Sequence, residues 1–125
     1  MIFETRTLFF SLIFYLFLFP ITKVYPDGWK SFSKENTDLP SNNILCMAID
    51  DNGTKWFGTD QGLVQFNGEN WKLYSKELYP NFTGNRVNDL IYESYGNQSL
   101  LWIATENGIS LLDITNSEYP TFSIP

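Results

Sequence analysis

Apolar and polar residues alternate along most of this chain in short bursts, each closed by a turn signal. "ILCMAID", from Ile44, is apolar at both alternating positions, which predicts a strand covered on both faces. Asp51-Asn52-Gly53 predicts a turn into "KWFGT", and Asp60-Gln61-Gly62 predicts a hairpin loop whose Gly takes a positive φ. "LVQF" follows, then a polar gap, then "WKLY" from Trp71, so four short strands are predicted between residues 43 and 75. No stretch after Pro26 carries an apolar stripe at helical spacing.

The pattern then returns. Trp29-Lys30-Ser31-Phe32-Ser33-Lys34-Glu35 recurs as Trp71-Lys72-Leu73-Tyr74-Ser75-Lys76-Glu77. Ile44, Met47 and Ile49 recur as Val87, Leu90 and Tyr92, and Trp56, Thr59 and Gly62 recur as Trp102, Thr105 and Gly108. The spacing grows from 42 through 43 to 46 residues, and the additions fall in stretches of turn composition such as "SYGNQS". Tyr119-Pro120-Thr121-Phe122-Ser123 reads as a third, weaker start aligned on Trp71. A repeat of this period holding four strands predicts the blade of a β-propeller; an ordinary meander with similar hairpins is the alternative. Two residues after each Trp stands a small residue, Gly58 or Ala104, on the same strand face. That leaves room for a bulky side chain from a neighbouring sheet.

The first 25 residues belong to another class. Leu8 to Phe19 reads "LFFSLIFYLFLF", with Ser11 its one polar residue and Pro20 as its stop. Such a run is too short to span a bilayer core as a helix and suits the apolar centre of a signal peptide. Glu4 offsets Arg6 and no Ala-x-Ala site follows, so an uncleaved membrane anchor stays open, as does a buried helix.

Composition narrows the chemistry. Eight basic against fourteen acidic residues give a net charge of −6, which argues against a nucleic-acid partner. Aromatics at 18% of the 125 residues argue for a packed domain. A single Cys46 excludes an internal disulfide and a cysteine metal cluster. The chain has no His, the commonest general base and metal ligand. Asp50-Asp51-Asn52-Gly53 lacks the acidic spacing of a calcium loop and reads as a turn. Asp50 and Glu93 stand at equivalent strand ends, and Asp60 and Glu106 at equivalent hairpins, so these acids follow the repeat. Asn88 and Asp89 depart from it, replacing Leu45 and Cys46 on the strand nearest a propeller axis. They are the candidate ligand-binding residues, against the plainer reading of a solvated rim. No catalytic residue, metal ligand or cofactor site is expected.

The segment "ILCMAIDDNGTKWFGTDQGLVQF" resembles the two-component regulator propeller repeat, whose pattern is Gly-x-x-Trp-x-Gly-Thr-x-x-Gly-Leu-x-x-Phe. "VNDLIYES" with "LWIATENGISLL" is similar to it and departs at Ala104, Ile109 and Leu112. The resemblance implies an exported sensor propeller of the kind found in hybrid histidine kinases, many of which detect carbohydrate fragments. It supplies no kinase, because the phosphoacceptor His is missing.

The expected fold is all-β: an N-terminal signal helix or membrane anchor over residues 1–25, then an incomplete propeller over 26–125. The propeller comprises a leading outer strand at 29–33 and two four-stranded antiparallel blades at 43–75 and 87–124. Trp56, Gly58, Thr59, Gly62, Trp102, Thr105 and Gly108 are structural repeat positions. The expected function is binding of a small polar or carbohydrate ligand after export to the periplasm, free or membrane-anchored through the N-terminal segment. Alternatives are a propeller enzyme of lyase or hydrolase type, a protein-interaction piece, and a truncated reading frame. Two blades leave apolar faces uncovered, so further blades or self-association are expected.

Overall fold

In the computed structural model, residues 28–116, 118 and 120–123 are described. The expected signal segment lies outside them. Two units divide after Ser31, and of the first only Gly28–Ser31 are described.

Eight strands form two four-stranded antiparallel sheets. The first holds β1 (Ile44–Ile49), β2 (Lys55–Thr59), β3 (Gly62–Phe66) and β4 (Trp71–Tyr74), in that order across the sheet. The second holds β5 (Val87–Tyr95), β6 (Gln98–Thr105), β7 (Gly108–Asp113) and β8 (Thr121–Ser123), in the same order. Each is an up-and-down meander whose first strand forms one edge, as a propeller blade requires.

Local chemistry builds each turn. The Asp50 carboxylate accepts the backbone N–H groups of Asn52 and Thr54, both at 3.0 Å, and closes β1 onto β2. Gly62 and Gly108 take φ of 136° and 130° at the β2–β3 and β6–β7 hairpins, as expected of their turn positions. In each hairpin the preceding Thr hydroxyl donates to the Gly carbonyl: Thr59 to Gly62 at 2.8 Å, Thr105 to Gly108 at 3.1 Å. Each hydroxyl also accepts the N–H of the second loop residue, Gln61 or Asn107. The motif Thr is therefore a clasp across its own turn.

The core lies between the sheets. Trp56, Leu63 and Tyr74 of the first face Leu90, Leu101, Ile103 and Leu112 of the second, with Phe82 and Val87 also enclosed. Tyr74 stacks on Tyr79 at 5.1 Å and meets Phe122 edge-on at 6.0 Å. Burying one such large side chain contributes about 1.5–3 kcal/mol.

Four expectations change. β1 is covered on one side only: Cys46 and Ala48 turn toward the second sheet, while Met47 and Ile49 remain 52% exposed. Among the described residues no sheet covers that second face. Residues 29–33 form no strand. Ser33 commits its backbone to a local turn, its N–H donating to Asn36 Oδ1 and its carbonyl accepting from Asn36 and Thr37. The extra residues of "SYGNQS" lengthen a hairpin rather than a loop, adding the pairs Ser94↔Ser99 and Tyr95↔Gln98. Finally, Phe122 stands opposite Leu112 as Trp71 stands opposite Phe66, so the third start aligns on Phe122 and not on Tyr119.

Candidate functional site

The seam between the sheets shows what the repeated residues do. β1 and β2 pair so that Cys46 lies opposite Gly58. Into the space above Gly58 comes Val87, the first residue of β5. A Cβ at position 58 would lie 2.6 Å from Val87 Cγ1 and would overlap the Cys46 sulfur. Only a hydrogen fits there, as the small-residue expectation requires. The Cys46 thiol donates weakly to the Val87 carbonyl at 3.8 Å. Burial, with the Asp89 charge as a lesser cause, raises the Cys46 pKa above its ordinary value and keeps the thiol protonated.

One repeat along, Asp89 lies opposite Ala104 and takes the place of Cys46. Asp89, Ile91, Trp102, Ala104 and Ile109 line an open groove of about 200 Å³ on the side of the second sheet that faces away from the first. Trp56 is buried in the seam, whereas Trp102, its counterpart, is only half-buried on this open face. Each Trp has an acid: the indole of Trp56 donates to Asp50 at 3.0 Å, and that of Trp102 donates to Glu93 at 3.1 Å.

Asn88 is the extra residue of a β-bulge between Val87 and Asp89. Leu45 occupies the same bulge in the first sheet, between Ile44 and Cys46. Bulges re-aim side chains at strand ends and are frequent next to binding sites. Asn88 and Asp89 are both exposed, yet the structure separates their roles. Asp89 belongs to the groove, where its carboxylate accepts the N–H of Leu90 at 2.9 Å, and Asn88 stands out from the ladder. Asp50 and Glu93 follow the repeat in their indole bonds, whereas the hairpin acids Asp60 and Glu106 take different partners. Asp60 accepts a hydrogen bond from Asn43 at 2.9 Å, which lowers its pKa below the ordinary 3.8. Among the described residues no three potential metal ligands gather.

Sequence reasoning missed two arrangements. Asn42 and Asn85 make identical clamps: the side-chain oxygen of each accepts the N–H of Lys34 or Lys76, at 2.8 Å in both cases. Their amide nitrogens donate to the carboxylates of Glu35 and Glu77. The repeated Ser-Lys-Glu was the available signal, but the Asn lies far enough along each connector to escape it. The second is a buried hydroxyl cluster in which Thr83 meets Thr105 and Ser110, each at 2.9 Å. Thr83 lies in the connector before β5, and an isolated Thr there gives no signal that it meets Thr105 and Ser110.

Two edge-ordered meanders, seamed by a β-branched side chain over a glycine, define a partial β-propeller. Residues 38–61, which hold β1, β2 and their turn, match the family model described as two component regulator propeller. The match covers part of one repeat, the first two strands of the first sheet. Comparisons with curated proteins and with solved structures give no match.

Proposed function

We propose that this chain is the recognition part of an exported sensor: a propeller module that binds a small polar ligand, without turnover. Oligosaccharide fragments are the first class to test, because the resemblance of its repeats is to sensor propellers. The observation that carries the proposal is the bulge at Asn88. The repeat puts apolar Leu45 and Cys46 at this strand end in the first sheet, and the second sheet puts an exposed amide and carboxylate there. An amide with an adjacent carboxylate offers donors and acceptors suited to hydroxyl groups. The missing His leaves recognition better supported than acid–base catalysis.

Calorimetry of the full chain against a panel of neutral and acidic oligosaccharides tests the ligand. Binding of one class, weakened by Asn88→Ala, is expected; saturable turnover of any of them would make this an enzyme. Export is tested separately by cell fractionation with an antibody to the strands. Recovery in the cytoplasm with residues 1–25 intact would end that part of the proposal.

A further inference from the structure

We propose that the open face of the second sheet docks the front face of the first sheet of another copy of this chain, joining copies head to tail. The inference rests on the propeller character of the two sheets, and its joint covers the groove that Asp89 lines.

The chain already contains one such joint. In its seam, the back of the first sheet presents Trp56, Gly58 and Leu63, and the front of the second answers with Val87, Leu90 and Ile103. All but Gly58 are at most 7% exposed. Each partner of this joint recurs at the other end, where among the described residues no sheet faces it. The back of the second sheet presents Trp102, Ala104 and Ile109, with Ile91 and Ile109 61% and 54% exposed. The front of the first presents Ile44, Met47 and Phe57, the counterparts of Val87, Leu90 and Ile103. Exposed apolar faces of this kind mark association sites.

The front face is also equipped for a neighbour of this type. In the seam, Tyr74 crosses to meet Phe122, and the connector after it is fixed by the Asn85 clamp. Ahead of the first sheet, Phe32 meets Trp71 edge-on at 5.4 Å, and the connector after it is fixed by the Asn42 clamp. Phe32 thus sits where the outer strand of a preceding sheet would deliver it. Among the described residues no sheet back carrying Trp, a small residue and an aliphatic side chain meets this face, and such a back is what the second sheet leaves open. Such a joint uses different surfaces on its two sides, so it repeats until the ring closes.

One residue marks the register. The seam seats Val87 beside a thiol that donates to its carbonyl. A docked copy would bring Ile44 to the same place, beside the Asp89 carboxylate, an acceptor where the seam has a thiol donor. Asp89 is therefore a brake on the joint, and Asp89→Asn supplies the missing donor.

The test is sedimentation velocity on the full chain, held in one non-ionic detergent, over a wide concentration range. Ile109→Arg blocks the back face and Met47→Arg the front; both residues are exposed, so the fold is spared. Each variant alone should be monomeric, and an equal mixture should form a heterodimer and nothing larger, because one intact joint remains. Asp89→Asn should tighten association about two- to tenfold, the worth of one hydrogen bond. A wild-type monomer at every concentration overturns the proposal. So does a mixture that stays monomeric, or association that both arginines leave intact. Unchanged or weaker association of Asp89→Asn overturns the register, and with it the joint as described. None of these outcomes depends on a ligand.

Discussion

The indole N–H of Trp56 donates to the Asp50 carboxylate at 3.0 Å, and both residues are buried. The same carboxylate accepts the two backbone N–H groups that close the β1–β2 turn. One acid therefore ties the largest core side chain to the turn that precedes it. Asp50→Ala strands three donors, of which the Trp56 indole is buried, and a buried orphan costs about 1–3 kcal/mol. Asp50→Ala should lower stability by at least about 2 kcal/mol in chemical denaturation. Glu93→Ala, whose Trp102 bond is exposed, should lower it by less than about 1 kcal/mol.

Gly58 is closed to a methyl group by Cys46 and Val87. Gly58→Ala should cost about 1–3 kcal/mol through overpacking. The cost of adding Val87→Ala to it should be smaller than that of Val87→Ala alone, because the shorter side chain relieves the clash. Thermal melts of the four-member cycle give the coupling; strict additivity would show that the seam relaxes freely around the new methyl.

Thr59 is wholly buried and both donates and accepts within its hairpin. Thr59→Val keeps the shape and removes the clasp, leaving the Gln61 N–H and the Gly62 carbonyl short of a partner. A loss of about 1–3 kcal/mol is expected. Thr59→Ser, which retains the hydroxyl, should recover most of it. Amide exchange at Gln61 reports the clasp directly and should quicken in the Val variant alone.

Glu35 and Glu77 are held below the ordinary carboxyl value of 4.5. The Asn42 amide is the leading cause at Glu35; at Glu77 it is the residue's own backbone N–H, followed by Ser75 and Asn85. A carboxyl whose pKa is depressed by folding stabilises above its unfolded value and loses that contribution as pH falls through the folded one. Stability should therefore fall on acidification from about pH 5 toward pH 3. The Asn42→Ala, Asn85→Ala double variant should show a shallower fall, measured as denaturation midpoint against pH. An unaltered slope would assign the acid sensitivity to other carboxyls.

Strands and turns were legible because their determinants are local. Gly62 and Gly108 sit where alternation breaks, and the Trp-to-Thr spacing is the same in both repeats. Burial was less legible, since it depends on which neighbour a face meets. Trp56 and Trp102 read alike in sequence, yet one is buried in the seam and the other half-buried at an open groove. The lengthened β5–β6 hairpin was hidden because "SYGNQS" has turn composition while Ser94 and Ser99 still pair. For the candidate site, the residue types at Asn88 and Asp89 were visible as a break in the repeat. Their division between a bulge and a groove was not, because a one-residue slip in pairing leaves no mark on composition.

The matched clamps at Asn42 and Asn85 carry a consequence for how such a chain can grow. Because Ser33 and Ser75 each open the same turn behind an aromatic residue, they are equivalent cut points. A segment spliced from Ser33 to Tyr74 would bring its own connector, its own sheet and its own closing aromatic, and no strand ladder would be severed at either end. Lengthening by whole modules at that joint leaves every existing strand in register, whereas a cut inside the sheet would leave a half-built blade.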